Sequence, residues 1–369
     1  MKKHWICSGL IGLSASLIYT AAVAATEKEQ GSGQGVSSSA QRSALRGMNG
    51  SGLIEQLQAF AKQRRGQLPN ERREIAENVK YDDWTDSTRN RTVPVKIYLP
   101  KSGTAPYPVV IFSHGLGGSR EAAPYLGQYL SDHGYVCVHI QHEGSDRGVI
   151  NEGVSKGADS VLPTLQAAAN GKNLILRAKD VSFIIDELQR RNTSDPILKG
   201  RLDLSKLAIA GHSFGAGTAL AVSGQSYAFA SRPLADDRIK AAIYLSAPAH
   251  ASKRAPDSIY GGIKIPGLLM TGTEDSSPIG GTTPAERRLP FDGITAPHQY
   301  LINFTGGDHM IFGGTRFKRP NDEMFQTIIS KASLEFLDAY LKGNKSAQEW
   351  LDGKEGMEYI SKASQFERK

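Results

Sequence analysis

Six short, almost continuously apolar segments recur along the chain: Val109–Phe112, Tyr135–Ile140, Leu207–Ala210, Ala241–Leu245, Gly267–Met270 and Tyr300–Phe304. Runs this brief suit strands buried on both faces, as in a mostly parallel sheet. Longer stretches with helical spacing lie between them, at Ala122–Ser131, Leu174–Arg191, Ala216–Val222 and Asp322–Leu341. Ahead of them Val93–Leu99 alternates apolar and polar residues, the mark of a half-buried strand. Strand alternating with helix means right-handed βαβ units, so the fold class is α/β: a three-layer α/β/α sandwich with a mostly parallel central sheet. Two polar insertions, at about 144–173 and 276–297, leave the carboxyl ends of strands. That is the edge at which open α/β sheets bind ligands. No internal repeat is visible.

Composition narrows the remaining classes. Hydrophobic residues make up 39% and charged residues 22%, which excludes wholesale disorder. Two cysteines, Cys7 and Cys137, exclude a disulfide framework or a thiolate zinc cluster. Cys137 lies in a strand context and reads as a buried structural thiol. The net charge of +7 comes from basic residues spread along the chain, not clustered on one segment, so no nucleic-acid partner is expected. Lys2 and Lys3, an apolar run to Val23 and the small residues Ala22-Val23-Ala24-Ala25 form the three regions of a secretory signal peptide. Residues 1–24 are therefore expected to be removed, with cleavage after Ala24 or one residue later. The small and polar residues Ser8, Gly9, Gly12, Ser14 and Ser16 argue against a permanent span. The product would be periplasmic or secreted, with no stable membrane span. Residues 25–52 read as a flexible Gly/Ser-rich leader and 53–369 as a single domain. Its opening segment Leu53–Arg65 has helical apolar spacing with a basic far face; packing against the domain is preferred to surface attachment.

The chemistry centres on Gly211-His212-Ser213-Phe214-Gly215, between a predicted strand and a predicted helix. That context is what a G-x-S-x-G nucleophile elbow requires. The abrupt turn forces the serine to positive φ, and glycines two residues to either side let neighbouring backbone pass. A serine hydroxyl needs a base and an orienting acid, which in this fold follow in the order Ser, acid, His. Asp275 follows the Gly267–Met270 run and His309 follows Tyr300–Phe304, both at the edge that carries Ser213. Glu274 is the alternative acid, less far into the loop. Asp308 adjoins His309 too closely to fold back on it and reads as a turn former. His250 and His298 lack a preceding acid-bearing strand end. An oxyanion hole needs two backbone N–H groups: one from Phe214, the other from the loop Ser113-His114-Gly115-Leu116-Gly117-Gly118, where Leu116 is the expected donor. A phosphate cradle at that loop is disfavoured because no Gly-Lys-Ser/Thr follows. His139 and His142 are three apart in a strand and face opposite sides, so they read as structural and no metal site is expected.

Ser113–Gly118, Gly211–Gly217, Asp275 and His309 resemble the α/β-hydrolase superfamily over about residues 80–345. Ser-His-Gly-Leu-Gly, the stretch Leu130–Arg147 and Gly-His-Ser-Phe-Gly are similar to platelet-activating-factor acetylhydrolase and dienelactone-hydrolase-like esterases. The resemblance implies a cofactor-independent serine hydrolase of carboxylic esters, with Ser213, Asp275 and His309 as its triad and Leu116 and Phe214 as oxyanion amides. Its substrate would be a small-molecule or lipid ester. Dienelactone hydrolases themselves use a cysteine nucleophile, so Ser213 argues against that substrate. The alternatives are a lipase or polyester hydrolase, an acyltransferase, or a binding protein on a hydrolase scaffold.

Overall fold

The computed structural model describes residues 77–249, 254–277, 279–314 and 319–369. The expected signal segment, the leader and the Leu53–Arg65 helix lie outside those residues, as does His250. The fully apolar runs become interior strands. They are β3 (Tyr107–Ser113), β4 (Val136–Ile140), β5 (Leu202–His212), β6 (Ile239–Leu245), β7 (Gly267–Glu274) and β8 (Gln299–Asp308), hydrogen-bonded in parallel in the order β4-β3-β5-β6-β7-β8. Antiparallel strands close both sides: β2 (Arg91–Tyr98) and β1 (Val79–Asp86) beside β4, and β9 (Ser364–Arg368) beside β8. Among the described residues the sheet thus gains one strand ahead of the Val93–Leu99 segment, at an edge with no apolar run to announce it.

Alternation along each interior strand divides the core in two. Val109 and Ile111 of β3 and Leu207 and Ile209 of β5 face one apolar layer. Val110, Phe112, Ala208 and Ala210 face the other. The first layer is closed by the helix Gly171–Ser194, which buries Val181, Ile184, Ile185 and Leu188 on one stripe. The second is closed by Pro124–Asp132 and by Asp322–Lys342, whose Phe325, Ile328, Ile329, Phe336 and Leu337 recur at three- and four-residue spacing. Both faces of the sheet are therefore dry, as continuous apolar strands require. No helix among the described residues is long and apolar enough to cross a membrane.

Both insertions carry local structure. Residues 144–173 contain the helices Arg147–Ser155 and Val161–Ala168 and the start of Gly171–Ser194. Residues 276–297 contain a 3-10 turn, Ala285–Arg288, and the short helix Leu289–Gly293.

Candidate active site

Strand β5 runs into the helix Phe214–Ser223 through one residue, Ser213, at φ 56° and ψ −120°. The turn is this tight because of its glycines. A Cβ on Gly211 would lie 2.2 Å from the Gly215 carbonyl oxygen, and one on Gly215 only 1.9 Å from that of Ser113. The Ser213 N–H donates to Leu245 O at 2.9 Å, which ties the elbow to β6. Its Oγ lies 2.9 Å from His309 Nε2, and His309 Nδ1 lies 2.8 Å from Asp275 Oδ1. Ser213, Asp275 and His309 thus meet, although 96 residues of chain separate serine from histidine. Glu274 points outward, exposed, while Asp275 is fully buried.

Four donors converge on the Asp275 carboxylate. His309 and Ser246 Oγ donate to Oδ1 at 2.8 and 2.9 Å, Thr271 Oγ1 donates to Oδ2 at 2.9 Å, and Arg287 Nε lies 3.2 Å from Oδ1. Burial works against the charged form. The hydrogen bond from His309 and the charge of Arg287 outweigh it and hold the carboxyl at about 2. Ser246, at φ 53°, also comes within 2.7 Å of His309 Nδ1. His212 Nε2 donates to His309 O at 2.9 Å and so fastens the base's own loop to the elbow. Burial pushes the His212 imidazole down to about 3, so it is neutral. Asp308 accepts from Met310 N–H at 2.9 Å and pairs with Arg319, shaping the turn and not the base. His298 lies at the opposite end of the sheet, where its carbonyl accepts from Gly267 N–H at the start of β7.

The loop after β3 lies against the elbow: a Cβ on Gly115 would be 3.3 Å from Ser213 Cβ. In that loop Gly117 N–H is taken by Ser145 O at 2.9 Å and Gly118 N–H by Gly115 O at 3.0 Å, while no bond of Leu116 N–H is found among the described residues. Phe214 is the first residue of its helix, where an N–H has no partner within the helix. The two amides expected to hold an oxyanion therefore flank Ser213 from separate segments. The first insertion roofs this loop, since a Cβ on Gly117 would strike Ile150 at 2.8 Å and Leu165 at 3.1 Å.

Beneath it lies a buried polar layer. Arg177 donates to His114 O at 2.7 Å and Ser145 Oγ at 2.8 Å, and its guanidinium stands 4.5 Å from the Phe214 ring centroid. Burial lowers its pKa to about 9. His142 faces Ser113 Oγ at 2.9 Å and Asp180 at 3.0 Å. His139 turns the other way, to Ala122 O at 2.9 Å, stacked on Phe112. Ser113, His142 and Asp180 repeat the serine–histidine–aspartate pattern, but all three are fully buried. No group of three or more His, Cys, Asp or Glu able to hold a metal occurs among the described residues.

Ser246, Arg287 and Arg177 carried no motif, and His212 stood in the elbow only as a variable position. Ser246 had one usable signal, its place directly after a predicted strand at the reactive edge. Arg287 and Arg177 had none.

Comparison with known proteins bears on the fold and on the class of chemistry. The family model for platelet-activating factor acetylhydrolase, isoform II, matches residues 84–164. Platelet-activating factor acetylhydrolases from Cavia porcellus and Bos taurus are 24% and 27% identical over 72% and 69% of this chain. The chain spans 64% and 61% of their lengths. Cutinase 2 of Thermobifida cellulosilytica is 25% identical over 49% of the chain and 52% of its own length. A ferulic acid esterase structure from Streptomyces cinnamoneus superposes with TM-score 0.51 at 19% identity, over 75% of this chain and 93% of that one. The chain has the α/β-hydrolase fold and resembles the serine esterases built on it, platelet-activating-factor acetylhydrolases and cutinases among them.

Proposed function

We propose that the chain is an exported hydrolase of carboxylic esters that works through an acyl-enzyme on Ser213. The observation that carries the reading is the unbroken contact from Ser213 Oγ through the His309 ring to Asp275, at 2.9 and 2.8 Å. His309 Nε2 takes the hydroxyl proton as Oγ attacks the ester carbonyl. The N–H groups of Leu116 and Phe214 stabilise the oxyanion, and Asp275 stabilises the imidazolium. The tetrahedral adduct collapses, His309 returns its proton to the leaving alkoxide, and the alcohol departs. Water deprotonated by His309 then releases the acid. Every group required is a side chain or amide of the protein. Export rests on the N-terminal sequence alone, and the insertions at 144–173 and 276–297 would set the choice of acyl and alcohol.

Replacing Ser213 with alanine is expected to remove p-nitrophenyl acetate turnover by on the order of 10⁴ or more while leaving the fold intact. A fluorophosphonate probe should phosphonylate Ser213 with loss of fluoride. An unlabelled wild-type chain would instead be a binding protein on a hydrolase scaffold. The cutinase likeness favours one second reading, hydrolysis of polyesters. Release of monomers from a polyester film, compared with soluble esters of rising chain length, separates the two.

A further inference from the structure

The second insertion brings an arginine to the back of the triad. Arg287, in the turn Ala285–Arg288, is 2% exposed. Its Nε donates to Asp275 O at 3.1 Å and lies 3.2 Å from Asp275 Oδ1. Its Nη1 donates to the carbonyls of Ser246 and Ala247 at 3.1 and 3.0 Å, and Nη2 lies 3.3 Å from His309 Nδ1. One planar fork therefore ties the loop after β6 to the loop after β7, with its charge set against both the acid and the base. A proton reaching the Asp275–His309 pair meets that charge at contact distance, and like charge opposes it.

Among the described residues, the other titratable or charged groups facing the pair do not do this. His212, with its ring centroid 4.9 Å from that of His309, is kept neutral by burial. Asp308 and Arg319 pair with each other at 2.7 Å. Ser246 and Thr271 contribute neutral hydroxyls.

We propose that Arg287 is a positioning residue for Asp275 whose fixed charge opposes proton uptake by the Asp275–His309 pair and so carries activity to lower pH. The inference rests on the functional reading given for Ser213. Two substitutions separate charge from hydrogen bonding: Arg287→Gln keeps donors without the charge, and Arg287→Lys keeps the charge without the fork. In pH profiles of kcat/KM on p-nitrophenyl acetate, the acid limb of Arg287→Gln should rise by about 1 pH unit. Its kcat should fall about tenfold or more with little change in KM. Arg287→Lys should keep the wild-type limb while losing kcat. Superimposable limbs for Gln and wild type, or equal displacement in Gln and Lys, overturn the role. Should the Gln variant fail to fold, Arg287→Met read beside Arg287→Lys decides: a limb raised in Met and unmoved in Lys supports the charge, and an unmoved limb in Met or a raised limb in Lys overturns it. The downfield Nδ1–H proton resonance of His309, titrated in the same proteins, reads the shift without turnover. A wild-type chain that neither hydrolyses ester nor takes fluorophosphonate therefore defeats only the functional reading, whereas an unmoved Gln titration defeats the Arg287 role.

Discussion

At the scale of single residues the reactive edge is a matter of close approach. Gly215 passes the Ser113 carbonyl with no space for a methyl group, since its Cβ would sit 1.9 Å from that oxygen. Gly215→Ala must push the helix off β3, at a cost of about 3 kcal/mol. Urea unfolding should register that loss, and turnover should fall with it as Phe214 N–H moves; an unchanged midpoint would mean the helix can shift without penalty. Asp275 makes a second prediction. Its folded carboxyl, held at about 2 against an ordinary 3.8, adds stability that is complete above the unfolded value and is lost as pH falls toward the folded one. The contribution is on the order of 2 kcal/mol at neutral pH, with about 1 kcal/mol of it gone by pH 3. The stability gap between wild type and Asp275→Asn should therefore narrow between pH 5 and pH 3. A gap that stays constant would show that the carboxylate is not preferentially stabilised by folding. The positions of Ser213, Asp275 and His309 were legible because strand ends are legible and the order of nucleophile, acid and base follows the fold. Their supports were not. Ser246 and Arg287 act through three-dimensional contact, at distances in sequence of 29 and 12 residues from Asp275; only a strand end marks the serine, and nothing marks an arginine in a loop.

At the scale of elements, the helix Gly171–Ser194 contributes more than an apolar stripe. It sends Arg177 under the loop after β3, where one guanidinium touches the carbonyl of His114, the hydroxyl of Ser145 and the face of Phe214. Those three pieces carry or brace the two amides expected to face an oxyanion, because Ser145 O in turn accepts from Gly117 N–H. Arg177→Met leaves a buried carbonyl and hydroxyl without their donor, and stability should fall by about 3 kcal/mol. Loosening of the proposed oxyanion hole should lower kcat by on the order of 10². Lysine should not rescue it, since a single ammonium cannot span the same partners. Steady-state kinetics and denaturant unfolding on both variants check this; an Arg177→Met chain with wild-type kcat would uncouple the helix from catalysis. The same scale explains which elements could be read in advance. Interior strands announce themselves because both faces are dry. The edge strands do not: β1 exposes Tyr81, Asp82 and Asp83, and β9 reads Ser-Gln-Phe-Glu-Arg. Charge and polarity keep such edges from pairing with other chains, and also erase the apolar alternation that would reveal them. The first insertion reads as polar and glycine-rich, yet folds into helices. Its buried apolar residues are few, Val149, Ile150 and Val161, and none belongs to the two core layers: Ile150 lies over Gly117 of the loop below, and Val161 packs on Gly153 of the insertion itself.

At the scale of the whole molecule, the last residues of the chain support the reactive edge from a distance. Strand β9 pairs with β8, and Phe366 stacks on Tyr300 at 6.1 Å between centroids. The neighbouring Glu367 accepts from Arg288 Nη1 and Nη2, each at 3.0 Å, and the Lys369 ammonium donates to the carbonyl of Phe291. Arg288 and Phe291 belong to the second insertion, and Arg288 directly follows Arg287. The C-terminal strand is thus bonded to the segment that places a charge behind Asp275. Removing residues 364–369 uncovers the edge of β8 and frees that segment, so two effects should appear together. The melting temperature should fall by about 5 °C, in keeping with a loss of about 3 kcal/mol in a domain of this size. The acid limb of the activity profile should also move up, in the direction expected for Arg287→Gln. Glu367→Ala in the full-length chain separates the contributions: it removes the ion pair to Arg288 but keeps the strand, so it should move the profile more than it lowers the melting temperature. A truncated chain with lower stability and an unmoved profile would mean that Arg287 is held by its own contacts to the loops after β6 and β7 and that the strand serves the sheet alone.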